Sequence, residues 1–318
     1  MSIPSVGVWS LIGNTPILPL YFSDFDRTIW VKCEFLNPSG SIKDRVAVYI
    51  IEDAERRGLL KPDSIIVECS SGNTGISMAM VGVAKGYRVQ ILLSAGASSE
   101  RSWLIRHLGG EVILIDSNAD YATGIEIARK MAEADPRIFL PRQFENELNI
   151  EEHLTTTGQE ILRQIDGPIG LFVNGYGTGG TLAGVGKALK RANANCKVWA
   201  MEPALPSMAE DEHPFGQQTI EGVSQGFMPD LMQFAQVDGY VKVSCREASE
   251  MTRRLSREFG LLVGTSSGAN VAAALRVASE QNIDGAVVTV LCDRAERYFS
   301  TPLFQKNGLS AAELDNCK

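Results

Sequence analysis

Three short stretches of this 318-residue chain combine chemically able side chains with the spacing of ligand loops. In Gly175-Tyr-Gly-Thr-Gly-Gly-Thr181, glycines stand between an apolar run and a predicted helix. Backbone amides without bulky side chains can approach an anion closely there, and the helix start adds partial positive charge, so the stretch reads as a phosphate cradle. It lacks the lysine of a Walker loop and departs from the dinucleotide GxGxxG, so a ligand-free tight turn is the competing reading. Two Thr hydroxyls among four glycines favour phosphate. In Cys69-Ser-Ser-Gly-Asn-Thr-Gly75, the residues Ser70, Ser71, Asn73 and Thr74 offer donors suited to a carboxylate at a helix start. A single one of them would serve as an N-cap, whereas four together point to a ligand.

The third stretch, Asn37-Pro-Ser-Gly-Ser-Ile-Lys-Asp-Arg45, sets a lone lysine, Lys43, among small residues just before an apolar helix. The ordinary fate of a lysine is a solvated surface charge. Desolvation would instead depress its pKa and leave a neutral, nucleophilic amine able to form a Schiff base. Such a lysine beside a separate phosphate cradle is what a pyridoxal phosphate enzyme requires.

These loops must be positioned by regular elements, and the pattern supplies them. Short β-branched runs at 29–35, 64–68, 88–93, 111–115, 170–173, 197–201 and 285–291 alternate with helical patterns at 45–60, 73–86, 99–109, 121–134, 148–165, 179–192, 246–259 and 267–281. That alternation predicts βαβ units and a parallel sheet. The 246–259 helix places Ala248, Met251, Leu255 and Phe259 on one face, with Gly260 as its C-cap. The break at 202–230, rich in Pro and Gly, reads as an active-site flap.

At ~150 residues per domain the length allows two domains. Thirty Lys+Arg against 38 Asp+Glu leave a net charge of −8, without the basic excess of a nucleic-acid or anionic-membrane binder. A small-molecule enzyme suits that balance, with neither nucleic acid nor membrane as partner. The six cysteines (Cys33, Cys69, Cys196, Cys245, Cys292 and Cys317) form no CxxC pair and no cluster with His107, His153 or His213, so no metal site and no disulfide framework are expected. Without a signal-peptide pattern or a run of ~18 apolar residues, the expectation is a cytoplasmic chain with reduced thiols.

NTP at 14–16, NPSGSIKDR at 37–45, SSGNTG at 70–75, GTGGT at 177–181, GTSSGA at 264–269 and ERYFSTPLF at 296–304 follow one another along the chain. In this order they resemble the cysteine synthase (O-acetylserine sulfhydrylase) and cystathionine β-synthase family, over residues 10–305. The resemblance implies an α/β, fold type II pyridoxal phosphate enzyme, similar to the tryptophan synthase β subunit, with two domains that are each a mainly parallel twisted sheet covered by helices. It further implies a smaller mobile domain over 46–147, inserted in a larger cofactor-binding domain made of 1–45 plus 148–318.

By position in its motif, Lys43 resembles the lysine that holds the cofactor as an internal aldimine and carries the substrate α-proton. The resemblance assigns Asn73 to the cofactor 3′ oxygen, Gly177, Thr178, Gly179, Gly180 and Thr181 to its phosphate, and Ser266 to its pyridine nitrogen. Ser70, Ser71, Asn73 and Thr74 resemble the loop that grips the substrate carboxylate, with Ser70 where the family usually has Thr. Gln143, in RQFEN, would complete that site, and Gly222 and Ser224 belong to the flap that closes on substrate. A neutral hydroxyl at Ser266 cannot hold the ring nitrogen protonated, which suits direct β-elimination to an aminoacrylate and ping-pong addition of a nucleophile. Departures from the family lie near the substrate: 94–102 keeps only Ser99, Glu100 and Arg101 of PETMSxERR, and Ser224 and Gln225 replace small residues of GIGAGF. CDRAERYFST resembles isozymes that take alternative sulfur nucleophiles.

The implied reaction is β-replacement on an O-activated L-serine, most simply O-acetyl-L-serine plus sulfide to give L-cysteine and acetate. O-phosphoserine, cysteine, homocysteine, thiosulfate, cyanide or an amine stay open as other donors or nucleophiles. Two further classes remain: a non-catalytic protein that holds the carboxyl-terminal peptide of a serine acetyltransferase, and a serine/threonine dehydratase. A homodimer is implied by the resemblance, and no regulatory nucleotide-binding module is expected after the STPLF run.

Overall fold

In a computed structural model, which describes residues 6–116, 121–204, 220–223 and 227–305, the alternation of strands and helices resolves into two sheets. The elements are β1 (Ile17–Phe22), β2 (Arg27–Cys33), α1 (Lys43–Arg56), β3 (Ile65–Cys69), α2 (Asn73–Ala84), β4 (Arg88–Ser94), α3 (Ser99–His107), β5 (Glu111–Ile115), α4 (Tyr121–Ala134) and β6 (Ile138–Phe139). They continue as α5 (Leu148–Thr155), α6 (Thr157–Gln164), β7 (Ile169–Gly175), α7 (Gly180–Ala192), β8 (Lys197–Pro203), β9 (Gly239–Val243), α8 (Cys245–Phe259), α9 (Thr265–Glu280), β10 (Ala286–Leu291) and α10 (Pro302–Gln305).

The larger sheet runs β1-β2-β10-β7-β8-β9, parallel except for the β1–β2 hairpin, and the smaller runs β5-β4-β3-β6, wholly parallel. Helices cover both faces of a parallel sheet, which is why β3 and β7 are mainly apolar and buried nearly throughout rather than alternating, even at Glu68 of β3. All five residues of β3 are buried, as are the first six of β7. Helix α8 shows its local logic in full: Ser244 and Glu247 form a reciprocal capping box, and Gly260 closes it at φ +69.

The structure differs from the sequence pattern in four places. The helix expected over 148–165 is two, α5 and α6, because Thr156 (φ −116, ψ −76) leaves helical geometry where the Arg45 guanidinium donates to its hydroxyl at 3.2 Å. Strand β1 carries Pro19, which an edge strand tolerates and a strand pattern hides. The two-residue β6 is too short to stand out, and β9 is a half-exposed edge strand without a continuous apolar run; each is defined by its partner, Ile65–Ile66 and Trp199–Pro203.

A buried ion network ties α1 to both β2 and α6. The Arg45 guanidinium donates to Glu34 at 2.7 and 2.8 Å and to Glu160 at 2.7 and 2.8 Å, and Lys32 donates to Glu160 at 2.6 Å. Thr15 adds a hydrogen bond to Glu34 at 2.6 Å, and Glu34 is wholly buried. Burial alone would raise the Glu34 pKa, but Arg45 outweighs it and holds the carboxyl down at about 2. Arg45→Met would leave two buried carboxylates short of a cation, so it should cost about 3–5 kcal/mol in denaturant unfolding. A depressed carboxyl contributes stability above its unfolded pKa of ~4.3 that is lost as pH falls toward its folded value. The wild-type protein should therefore lose stability between pH ~4 and ~2, and Arg45→Met should flatten that limb of the curve.

Candidate active site

A single cleft, about 820 Å³ of open space with its mouth included, lies at the carboxyl ends of β3, β7 and β10, where a parallel sheet leaves its crevice. Lys43 lines it as the first residue of α1. The loop before it is clamped to the segment after β10: Ile42 N–H donates to the Cys292 carbonyl at 2.9 Å and Arg294 N–H donates to the Gly40 carbonyl at 3.1 Å. Gly40 supplies the left-handed turn at φ +89. Desolvation lowers the Lys43 pKa, and the nearby Cys292, Asp293 and Glu152 oppose that shift. Asp44, buried beside it, accepts from Ser39 N–H at 2.7 Å and from the Ser77 hydroxyl at 2.5 Å, which joins this loop to α2.

The glycine loop forms a second wall. Gly177, Thr178, Gly179 and Thr181 line the cleft, and Gly180, the first residue of α7, packs so closely on α5 that a Cβ there would stand 2.1 Å from Asn149 Oδ1. A Cβ at Gly177 would stand 2.4 Å from the Gly222 carbonyl oxygen, and Gly179 is left-handed at φ +91. Thr178 Oγ1 accepts from Asn149 Nδ2 at 3.0 Å, and Thr181 Oγ1 pairs with His153 Nε2 at 3.1 Å. The first amides of α7 have no acceptor within the helix, and the macrodipole of its 13 residues favours an anion in front of them.

The 70–75 loop brings Ser71, Asn73 and Thr74 to the cleft. Ser70, expected in the carboxylate grip, is not among the residues that line the cleft. Its hydroxyl accepts from Gly72 and Gly75 N–H, each at 3.0 Å, so it shapes the loop from beneath. Thr74 donates to Gln143 Oε1 at 2.6 Å, and Gln143 Nε2 donates to the Cys69 carbonyl at 3.0 Å. Behind them lies Glu68, accepting from the Cys69 and Gln143 amides at 3.1 and 3.3 Å, its carboxyl pushed up to about 8 by burial. Ser266 faces the cleft from the first turn of α9, and Gly222 lines it from the flap side. Ser224 and Gln225 lie outside the described residues.

Several cleft residues were not singled out by motif. Tyr121 accepts from Ser71 N–H at 2.8 Å and packs edge-on against Phe144 at 4.9 Å, yet only the position of Phe144 beside Gln143 signalled either. Asn270 accepts from Gly175 N–H at 2.7 Å and donates to Asn174 Oδ1 at 3.0 Å, joining α9 to the start of the glycine loop. Cys292, also in the cleft, has its thiol pushed up to about 12 by burial. Arg101, buried against Gly72, forms an ion pair with Glu221, and both line the cleft.

Comparison with known proteins agrees with this geometry. The family model described as pyridoxal-phosphate dependent enzyme matches residues 8–293. A cysteine synthase of Staphylococcus aureus (strain N315) is 41% identical over 304 residues, covering 95% of this chain and 97% of that protein. The crystal structure of an O-ureido-L-serine synthase superposes with a TM-score of 0.88 at 37% identity, covering 99% of this chain and all of that one. The O-acetylserine dependent cystathionine β-synthase from Helicobacter pylori superposes with a TM-score of 0.86 at 32% identity, covering 96% of this chain and all of that one.

The glycine loop yields a direct prediction. Gly179→Ala places a Cβ 3.0 Å from the Met232 amide nitrogen in a left-handed conformation that costs an L residue about 1–2 kcal/mol. Affinity of the cofactor-stripped protein for pyridoxal phosphate should fall ~10-fold or more, the equivalent of ~1.4 kcal/mol, in a fluorescence titration. Gly58→Ala, with φ +69 in an exposed turn and no neighbour within 4 Å, should leave that affinity unchanged.

Proposed function

Because this chain belongs to the pyridoxal-phosphate dependent enzyme family, we propose that it replaces the acetate of O-acetyl-L-serine with sulfide, giving L-cysteine. The observation that carries this reading is one cleft in which a desolvated lysine faces a glycine loop on one side and a hydroxyl-and-amide loop on the other. The residues fit the cofactor: α7 and residues 177–181 for its phosphate, Asn73 for its 3′ oxygen, Ser266 for its ring nitrogen and Lys43 for its carbonyl carbon. Bound there, pyridoxal phosphate supplies the electrophilic carbon that captures a substrate amine and a sink for electrons during loss of the β-substituent.

The chain's own side chains do the rest. Burial lowers the Lys43 pKa and so favours the neutral amine that a base requires, and Lys43 takes the substrate α-proton as the Cβ–O bond breaks and acetate leaves with its electron pair. Sulfide then bonds to Cβ, and Lys43 returns the proton to Cα. Ser71, Thr74 and Gln143 hold the α-carboxylate, pre-set by the Thr74–Gln143 hydrogen bond. Phe144 and Tyr121 wall off water behind them.

A second reading rests on the Arg101–Glu221 pair. Sulfide needs no ion pair in the cleft, whereas a nucleophile or donor with its own charged head would find a partner there. The neighbouring enzymes differ on this point by their own descriptions, one making O-ureido-L-serine and another cystathionine. The division at 46–147 as a moving unit, a homodimer, a cytoplasmic setting and capture of a serine acetyltransferase peptide by the carboxylate loop belong to the same proposal. No helix among the described residues is long and apolar enough to cross a membrane.

A matrix of donors against nucleophiles tests the proposal. O-acetylserine should produce a new long-wavelength absorbance band that sulfide discharges, with L-cysteine as product. A charged thiol or amine that outpaces sulfide selects the second reading, and keto-acid release without any nucleophile overturns both. Lys43→Ala should lower kcat by at least ~10²–10⁴-fold, the usual worth of a positioned proton carrier. Undiminished turnover would remove Lys43 from its assigned place.

A further inference from the structure

The Asn73 amide is gripped at both ends by the segment that follows β10. Arg297 Nη1 donates to Asn73 Oδ1 at 2.7 Å, and Asn73 Nδ2 donates to Asp293 Oδ2 at 2.7 Å. A guanidinium only donates and a carboxylate only accepts, so this pair admits one orientation of the amide and excludes its flip. One N–H of Nδ2 goes to Asp293, which leaves the second N–H for the cleft that Asn73 lines.

Asp293 is itself held firmly. It is 1% exposed and accepts from the Tyr298 hydroxyl through the same Oδ2, while its buried Oδ1 has no hydrogen-bond partner among the described residues. A Cβ on Gly264 would stand 2.2 Å from that Oδ1, so the carboxylate is packed against the start of the helix that carries Ser266. The Arg101 guanidinium lies over the Tyr298 ring at 5.3 Å, and Arg297 reaches on to the Ser39 carbonyl in the loop before Lys43.

We propose that Asp293 and Arg297 are positioning residues that lock the Asn73 amide with its free N–H toward the cofactor 3′ oxygen. This rests on the reading of Asn73 given above. Asp293 accepting from the amide also polarises it, which strengthens donation by the remaining N–H. Both residues lie more than 200 positions from Asn73 in sequence, so the lock forms only when the segment after β10 closes over α2.

The test compares Asn73→Ala, Asp293→Asn and Arg297→Met as holoenzymes, through the visible absorbance of the bound cofactor, which responds to hydrogen bonding at its 3′ oxygen. Asp293→Asn and Arg297→Met should each shift the balance of absorbance bands in the direction given by Asn73→Ala and lower kcat/KM by ~10-fold or more. Thermal stability is followed in parallel, because a merely structural role would lower the melting temperature without moving the bands. If Asn73→Ala moves the bands and neither partner variant does, the lock is refuted while the reading of Asn73 stands. Unchanged bands in Asn73→Ala overturn both. Should Asp293→Asn fail to fold, Arg297→Met decides alone, since it frees the opposite end of the same amide.

Discussion

The Arg45 guanidinium, shared between Glu34 and Glu160, is the constraint on which the cleft depends. Lys43 stands two residues before Arg45 at the start of α1, so whatever fixes Arg45 also fixes where the reactive amine points. The two carboxylates come from opposite sides, Glu34 from the segment after β2 and Glu160 from α6. The same network carries Asn14 and Thr15 of the NTP motif, through a 3.0 Å bond from Asn14 N–H to Glu160 and a 2.6 Å bond from Thr15 to Glu34. An apolar replacement of the whole cluster could be equally stable, because buried ion pairs return little net energy. What hydrophobic packing would not supply is a single registry for α1, and a lysine displaced by 1 Å loses much of its use.

The anion-binding character of the cleft is invisible in the net charge of −8. In the proposed reading, phosphate and carboxylate would be met by backbone amides, hydroxyls and the positive end of α7, none of which a formal count registers. Dipoles of this sort are fixed in place before ligand arrives and need no counter-ion. A full cation in the same place would attract a partner from the protein itself, as Arg101 has done with Glu221.

How much of this was legible in the sequence depends on whether a residue acts through a motif or through a fold contact. Lys43, Asn73, Thr74 and the 177–181 loop sit in short runs that suggest ligand loops and whose order along the chain carries the family resemblance, and all of them line the cleft apart from Gly180. Ser70 shows the limit of such reading. Within SSGNTG it is one hydroxyl among several, and only the backbone path reveals that it faces inward to the Gly72 and Gly75 amides. Asn270, Tyr121 and Cys292 were hidden for a different reason: each is placed by strands or helices far away in sequence, and no local spacing marks it. Strands β1 and β9 were missed because edge strands are half exposed and so lose the mainly apolar run that marked β3 and β7.

Arg101 and Glu221 raise a question about energy rather than pattern. Arg101 is buried at 5% exposure, its Nε without a hydrogen-bond partner among the described residues, against a Gly72 whose Cβ would meet its Cδ at 2.0 Å. An unsatisfied buried donor costs about 1–3 kcal/mol, and the guanidinium bears a desolvation penalty besides. Leu or Met there would pack against Gly72 without that cost, so stability alone does not account for the arginine. Its location does: α3 follows β4 of the smaller sheet, Glu221 belongs to the chain beyond β8 of the larger, and the pair joins the two sheets across the cleft mouth. A contact that spans both sheets and lines the ligand space ties the two walls of the cleft together through a charge pair.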